Sequence, residues 1–224
     1  MWLVRQEIID KFCRANQKNG VFHSKRICSE CFQPFLGVRT LDGYTGLHIA
    51  AVNGHLSIFK FLFEANVLDV EARIFNGGAT PLILASTSGH LLIVRFLVEI
   101  AQANIEAKTN DQATALQWAA VKGHDGIVRF LVEHGANIET VTPLGYTTLI
   151  LAAQAGQLSV VKFLVEQNVN LEMKTTSNET ALDAAIRMKF QPVVDYLYGV
   201  IQQKRSFQAS HNDSENGLNE RGNQ

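Results

Sequence analysis

The 224-residue sequence predicts an all-α solenoid of stacked helix–turn–helix units with short β-turn fingers between them. A threonine followed two residues later by leucine recurs with spacings of 35, 34, 33 and 33 residues, and these threonines are Thr45, Thr80, Thr114, Thr147 and Thr180. A Gly-His or Gly-Gln pair follows four of them, and an apolar run that ends in glutamate comes next. A fixed period of about 33 residues is typical of a stacked repeat and not of a single closed globule.

Each repeat has sequence signals for two helices. The threonine hydroxyl is expected to cap the first helix by accepting a hydrogen bond from a backbone N–H. In repeat 2, Pro81 occupies the first turn, where its missing N–H costs nothing. The glycine of the Gly-His pair can end the first helix in the left-handed conformation, and the apolar run forms the second helix. Since one such helix pair cannot bury its apolar face alone, stability is expected to come from stacking.

Repeat boundaries follow from this period. Two extra residues precede Thr80 and one precedes Thr114, so we expect longer or bulged fingers there. After residue 203 the chain becomes polar, and such a segment cannot bury enough surface to offset its ordering entropy. The predicted parts are a degenerate N-terminal capping repeat at 1–40, repeats at 41–74, 75–108, 109–141 and 142–174, a C-terminal capping repeat at 175–202, and a disordered tail at 203–224.

The pattern resembles the ankyrin repeat. The resemblance rests on Thr80-Pro81-Leu82, on the Leu47-His48-Ile49-Ala50-Ala51 segment and on the closing turn Gly135-Ala136-Asn137. It covers roughly residues 12 to 198, and the fold that it implies is an ankyrin-repeat solenoid. The function that it implies is a non-catalytic protein–protein interaction module: an adaptor, a scaffold or an inhibitory subunit.

The resemblance also implies which residues bind a partner, because related proteins use the finger tips and the exposed positions of the first helix on the concave face. The corresponding residues here are Leu41, Asp42, Tyr44, Val52, Asn53, Asn76, Thr87, Ser88, Asn110, Asp111, Val121, Lys122, Leu144, Tyr146, Gln154 and Arg187. Tyr44 and Tyr146 are the most informative, since tyrosine is enriched at interface hot spots. Shielding of a neighbouring turn is the alternative role for both.

An N-terminal Cys/His cluster leaves a second function open, that of a metal- or thiol-dependent regulator. Cys13, His23, Cys28 and Cys31 could supply three sulfurs and one nitrogen to zinc, and the last two form a C-x-x-C pair. The competing interpretation places Cys28 at a core position that leucine holds in other repeats, where a small buried thiol fits. We favour the latter and expect neither a metal nor a cofactor.

No known catalytic motif is present: the sequence lacks a phosphate-binding loop, an H-E-x-x-H zinc pair and a G-x-S-x-G elbow. We therefore expect no enzyme activity and no small-molecule substrate. A site assembled across repeats, around Asp111 or Lys122 for example, is the remaining enzyme hypothesis.

Composition narrows the class of partner. The net charge of −1 gives no broad basic field for nucleic acid. No secretory signal stands at the start, and no uncharged apolar run reaches the ~18 residues of a membrane span. We expect a cytoplasmic or otherwise intracellular protein that binds another protein, does not insert into membranes and is monomeric on its own; delivery into a host cell stays open.

Three further ladders are interpreted as structural. The aromatic residues Phe61, Phe96, Phe130, Phe163 and Tyr196 are expected to pack between repeats. The basic residues Lys60, Arg95, Arg129 and Lys162 precede a glutamate by four positions, which predicts weak ion pairs on a solvated face. The turn histidines His55, His90 and His124 are expected to form hydrogen bonds.

Overall fold

The computed structural model describes residues 39–65 and 69–219, which divide between Asn137 and Ile138 into two compact units, unit 1 and unit 2. Over these described ranges the secondary structure is helical, with no β-strand and one isolated bridge between Lys108 and Thr114. The prediction of an all-α repeat fold is confirmed. The predicted capping repeat at 1–40, apart from its last two residues, and the Cys/His cluster lie outside the described residues.

Unit 1 contains three helix pairs. They are α1 (Gly46–Val52) with α2 (Leu56–Glu64), α3 (Pro81–Ser88) with α4 (Leu91–Arg95, continued by a π-helical turn at Phe96–Ile100), and α5 (Ala115–Lys122) with α6 (Asp125–Glu133). The first helices α1, α3 and α5 pack side by side, and so do the second helices. Small alanines such as Ala51, Ala85 and Ala119 are fully buried, which lets the first helices approach closely.

Unit 2 contains two helix pairs: α7 (Thr148–Gln154) with α8 (Leu158–Glu166), and α9 (Ala181–Arg187) with α10 (Gln191–Asn219). Helix α7 packs on α9, and α8 packs on α10. The core repeats the chemistry of unit 1, since Ala152, Val161, Leu164 and Leu197 are buried.

Threonine caps the first helices as predicted. The hydroxyl accepts from the backbone N–H three residues later in repeats 2 to 5, at 3.4, 3.4, 3.2 and 3.2 Å. In repeat 3 the bond is reciprocal, because Gln117 Oε1 accepts from Thr114 N at 3.1 Å. Repeat 1 uses the buried ring of His48 in the same way, and its Nδ1 accepts from Thr45 N at 3.1 Å. In repeat 5, Asp183 Oδ2 accepts from Thr180 N at 2.9 Å. Three capping boxes thus share one geometry with different side chains.

The Gly-His turns link successive repeats of unit 1. His90 Nε2 lies 2.8 Å from the carbonyl oxygen of Val52, and His124 Nε2 lies 3.0 Å from that of Thr87. Gly89, which precedes His90, is required for two reasons. Gly89 has φ +82°, and a Cβ there would come within 2.7 Å of the His124 ring. Hydrogen bonding is confirmed as the role of His90 and His124.

One of the two predicted finger insertions lies elsewhere. The second finger is one residue longer than the third. Its closing hydrogen bond runs from Ile74 N to Ala79 O, five residues on, whereas that of the third finger runs from Thr109 N to Ala113 O, four residues on. The third finger is not lengthened, so the prediction for it was wrong. Its extra residue lies in the π-helical turn, where Ala101 N donates to Phe96 O. A π-helical turn takes up a one-residue insertion without breaking the helix.

The C-terminal tail also differs from the expectation of disorder from residue 203, because α10 is helical as far as Asn219. Residues 202–206 are exposed, so this extension gains no packing there. It grows from a turn that Val193 and Leu197 anchor in the core of unit 2, and each added residue forms one more backbone hydrogen bond.

Candidate functional site

The first finger of unit 1 is a tight turn that brings predicted site residues to its tip. Gly43 N donates to Thr40 O at 2.9 Å, and Thr40 Oγ1 accepts from Tyr44 N at 3.0 Å. Leu41 is fully exposed at the tip. The half-buried Tyr44 ring meets the His48 ring edge-on, with 6.0 Å between centroids. Tyr44 therefore covers the buried cap of α1 and also faces solvent. Such a contact is compatible both with the predicted binding role and with the alternative role of shielding a turn.

Backbone hydrogen bonds join the fingers of unit 1 to one another. Phe75 N donates to Asp42 O at 2.8 Å, and Asn110 N donates to Gly77 O at 2.8 Å. The structure also brings two predicted site residues together, because Asn76 Nδ2 donates to Asp42 Oδ1 at 3.1 Å. The fingers are thus a preformed row in which Asp42, Asn76 and Asn110 are exposed.

Two arginines link neighbouring fingers through hydrogen bonds to backbone carbonyl oxygens. Arg39 Nη1 donates to Arg73 O at 2.9 Å, and Arg73 Nη1 donates to Lys108 O at 2.6 Å. The Arg39 guanidinium also lies 5.9 Å from the centroid of the exposed Phe75 ring. The cations therefore stabilise the fingers, and neither they nor Phe75 were predicted from the sequence.

A second surface of unit 1 is formed by the first helices. Residues three or four apart lie on one side of a helix, and half-buried, mostly apolar side chains with this spacing occur on all three first helices of unit 1, which pack side by side. We name this set the first-helix face, which includes one threonine: Ile49, Val52, Leu84, Thr87, Trp118 and Val121. Val52, Thr87 and Val121 were predicted, whereas the other three members were missed.

Trp118 is the largest member of this face. The residue is partly exposed, yet its indole Nε1 is buried and has no hydrogen-bond acceptor. Trp118 was not predicted as a site residue from the sequence, where Ala119 and Ala120 follow it directly. The signal that could have found it is residue type: tryptophan is enriched at interface hot spots.

Polar site residues at the edge of the face differ in how far the fold already uses them. Asn53 Nδ2 donates to Ile49 O at 2.8 Å, and Thr87 Oγ1 donates to Ile83 O at 2.7 Å. Asp111 and Lys122 are exposed at the third finger and at the end of α5, while Ser88 is half-buried. Asn53 and Thr87 thus keep only part of their hydrogen-bonding capacity for a ligand.

Unit 2 holds the other four predicted residues. Leu144 is exposed at its finger, and its carbonyl oxygen accepts from Thr176 N at 3.0 Å. Tyr146 and Gln154 are half-buried. Arg187 forms a forked ion pair with Glu179 at 2.8 and 3.2 Å, which ties α9 to its finger. Arg187 therefore has a structural contact that the sequence did not indicate.

Phe96 packs edge-on against Phe59 and Phe63 of the preceding repeat, as predicted for the aromatic ladder. The second helices also form a contact that was not predicted. Lys60 Nζ lies 5.5 Å from the Phe96 centroid, and the Arg95 guanidinium lies 5.7 Å from that of Phe130. Each cation thus covers the ring of the next repeat, a favourable cation–π geometry. Arg95 also forms the predicted pair with Glu99 at 3.1 Å. Arg129 pairs with Asp125 at 2.8 Å, a partner that was not predicted.

Titratable groups with shifted pKa values have structural explanations. Burial lowers the pKa of His48. Hydrogen bonds from the Thr180 backbone and hydroxyl lower the pKa of Asp183, and burial raises the pKa of Tyr196. In the part of the chain that the structure describes, no three or more His, Cys, Asp or Glu side chains are grouped closely enough to hold a metal ion.

None of the described helices combines the length and the apolar composition that crossing a membrane requires.

Comparison with known proteins gives one match. A family model described as "Ankyrin repeats (3 copies)" matches residues 15–109, 47–142 and 138–206. No curated protein matches the chain significantly. The matched ranges together span most of the sequence and include helices α1 to α9 and the first half of α10.

Proposed function

This chain belongs to the ankyrin repeat family, and on that premise we propose that it acts as an adaptor, scaffold or inhibitory subunit that binds another protein. Ankyrin repeats are generally protein–protein interaction modules and are typically non-catalytic. The proposed location is the cytoplasm or another intracellular compartment. The proposed binding residues are the sixteen named from the sequence, with Trp118 added.

The observation that carries the proposal is the first-helix face of unit 1. It combines a partly exposed tryptophan with four aliphatic side chains, on helices whose opposite sides are fixed by packing. Rigid aromatic anchors with aliphatic surroundings dominate interface energetics, because they bury apolar area at low entropic cost. The exposed polar groups of the fingers would form the rim.

The chemistry of this surface favours a partner segment with apolar side chains and charges of both signs. An aliphatic or aromatic side chain of the partner would pack on Trp118 and Val121. A basic group would face the exposed carboxylate of Asp111, and an acidic group would face Lys122. Such rim charges steer association and set specificity more than they raise affinity.

The test exchanges residues between equivalent positions of the repeats. Trp118→Leu, Val121→Gln and Lys122→Ala give repeat 3 the residues that repeat 4 has at the same places, Leu151, Gln154 and Ala155. Since the fold already accepts these residues there, helix packing is expected to survive. Loss of one anchor at a hot spot costs about 2 kcal/mol, roughly thirtyfold in affinity.

The matched control is Gly126→Ser on the exposed side of α6, where repeat 4 has Ser159. Partners are captured with wild type, the triple variant and the control, and identified by mass spectrometry after melting curves have shown equal stability. A partner retained by the control and lost by the triple variant supports the first-helix face. Equal retention by all three proteins removes this face from the proposal.

A further inference from the structure

The tip of the second finger carries an asparagine followed directly by a glycine, Asn76-Gly77, and both residues are exposed. In such a pair the backbone nitrogen of the glycine can reach the side-chain amide carbon of the asparagine, because glycine has no Cβ to obstruct the approach. Two Asn-Gly pairs, Asn53-Gly54 and Asn76-Gly77, lie among the residues of unit 1 that the structure describes. The same pair can therefore be compared in two environments.

The turn of the second finger lacks a hydrogen bond that the other four fingers have. In those four, the backbone N–H of the fourth finger residue donates to the carbonyl oxygen of the first at 2.8 or 2.9 Å; the pairs are Gly43 to Thr40, Gln112 to Thr109, Gly145 to Thr142 and Asn178 to Thr175. The second finger is one residue longer, and Gly77 N has no hydrogen-bond acceptor in the part of the chain that the structure describes. The longer turn therefore leaves this N–H unpaired.

Gly77 also has free space around it. A Cβ there would meet no atom within 4 Å, whereas one at Gly43 would come within 2.7 Å of the Phe75 ring. The Asn76 side chain forms one hydrogen bond, from Nδ2 to the exposed carboxylate of Asp42 at 3.1 Å. This bond engages the nitrogen that would leave and not the carbon that would be attacked. The surroundings that the structure describes thus leave Gly77 N room to approach Asn76 Cγ.

The Asn53-Gly54 pair, in contrast, is held by the end of α1. Asn53 Nδ2 and Asn53 N both donate to Ile49 O, at 2.8 and 3.2 Å. Gly54 lies against the His90 ring, and a Cβ there would come within 2.6 Å of the ring Nδ1. Attack by Gly54 N would require the Asn53 side chain to leave its hydrogen bond and the end of the helix to rearrange. We therefore expect Asn53 to react more slowly than Asn76.

We propose that Asn76 is a self-modification site that deamidates with water as the only co-reactant. Gly77 N attacks Cγ of Asn76, so that a C–N bond forms and the bond from Cγ to Nδ2 breaks. Nδ2 leaves as ammonia and takes the proton of Gly77 N with it. Water then opens the cyclic imide at one of its two carbonyl carbons, which gives aspartate by one opening and isoaspartate by the other. The reaction is independent of the proposed partner binding, although Asn76 is one of the proposed binding residues.

The product would change the links between neighbouring fingers. A carboxylate cannot donate a hydrogen bond, so the bond from residue 76 to Asp42 Oδ1 would be lost. Two carboxylates would then face each other, and like charges repel. Isoaspartate also lengthens the main chain by one methylene before Gly77, whose carbonyl oxygen accepts from Asn110 N at 2.8 Å. A link on each side of the second finger is thus sensitive to this reaction.

The test measures conversion at single residues of the purified full chain. The protein is incubated at about pH 7 and about pH 8, and its peptides are mapped by mass spectrometry, with chromatography to separate aspartate from isoaspartate. Conversion at Asn76 is expected to rise about tenfold between the two conditions, because the attacking species is the deprotonated Gly77 N. Conversion at Asn53 is expected to be at least about tenfold slower than at Asn76, since its hydrogen bonds must break first.

Deletion of Gly78 gives a variant that keeps the Asn76-Gly77 pair and shortens only the turn. Its second finger has the length of the third, so Gly77 N is expected to donate to Ile74 O as Gln112 N donates to Thr109 O. Conversion at residue 76 should then fall several-fold, because the attacking N–H is engaged. Asn76→Gln is the matched control: it keeps the amide, but attack on the longer side chain would need a larger ring, so conversion should stop.

Equal conversion at Asn53 and Asn76 overturns the proposal, as does an Asn76 that stays intact at the higher pH. Unchanged conversion in a deletion variant that circular dichroism shows to be folded overturns it as well, because the Asn-Gly pair alone would then explain the reaction. The comparison of Asn76 with Asn53 within one wild-type chain needs no variant, so it decides the proposal even where the shortened finger does not fold.

Discussion

Replacing His48 by glutamine should make the folded chain less sensitive to acid. The His48 side chain is fully buried. Its Nδ1 accepts from Thr45 N at 3.1 Å, and its Nε2 lies 2.9 Å from the carbonyl oxygen of Ala72. Because one ring nitrogen faces a donor and the other faces an acceptor, these contacts fit the neutral ring with its proton on Nε2. Protonation would place a charge on a buried ring and set a second N–H beside the N–H of Thr45, although Thr45 Oγ1, 2.8 Å from Nδ1, could accept from it.

The sign of the pH effect follows from burial, which lowers the pKa of His48 in the folded chain. The unfolded chain keeps the ordinary value of about 6.5 and so binds more protons below it. Stability is therefore complete above that pH and falls as the pH decreases through it. One proton contributes at most about 1.4 kcal/mol per pH unit, so His48 can account for up to about 1.4 kcal/mol between pH 7.5 and 5.5.

Glutamine is the matched replacement, because Gln117 already accepts from the cap threonine of repeat 3 at 3.1 Å. His48→Gln should keep the cap but weaken the contact with Ala72 O, at a cost of about 1 kcal/mol at pH 7.5. Urea unfolding of both proteins at pH 7.5, 6.5 and 5.5, followed by circular dichroism, gives the comparison. The stability difference should shrink as the pH falls. A difference that stays constant across this range would refute the reasoning.

Four further predictions test single features. Ser86→Ala should raise the unfolding free energy by about 1 kcal/mol in urea titrations, because the Ser86 hydroxyl is buried without a partner. Gly89→Ala should lower it by more than about 1 kcal/mol, because φ is +82° and the new Cβ would meet the His124 ring. Deleting Ala101 should convert the π-helical turn to an ordinary one and shift the stability by less than about 1 kcal/mol in the same titrations. Purified protein should contain less than one equivalent of zinc by elemental analysis, if Cys28 occupies a core position as predicted.

Most of the fold was predictable because the same contacts recur in several repeats. The threonine caps and the histidine bonds each leave a periodic trace in the sequence. The location of the extra residue before Thr114 could not be predicted, since a spacing of 34 residues fits a longer finger and a π-helical turn equally well. Trp118 was missed for a different reason: its neighbours are core alanines, and exposure at that position depends on how the helices pack.

Equivalent positions separate the residues that the fold requires from those that it merely tolerates. Gly54 and Gly89 show one contact that occurs in two repeats, since each lies against the turn histidine of the next repeat, His90 or His124. Substitution at such a position changes stability and says little about function. Trp118, in contrast, occupies a half-buried position at which three other repeats have an aliphatic residue: Ile49, Leu84 and Leu151. Its indole leaves a buried N–H without an acceptor, which opposes stability by about 1–3 kcal/mol. Leucine at this position should therefore fold at least as well, and a binding defect in Trp118→Leu with no loss of stability would identify the indole as a recognition group.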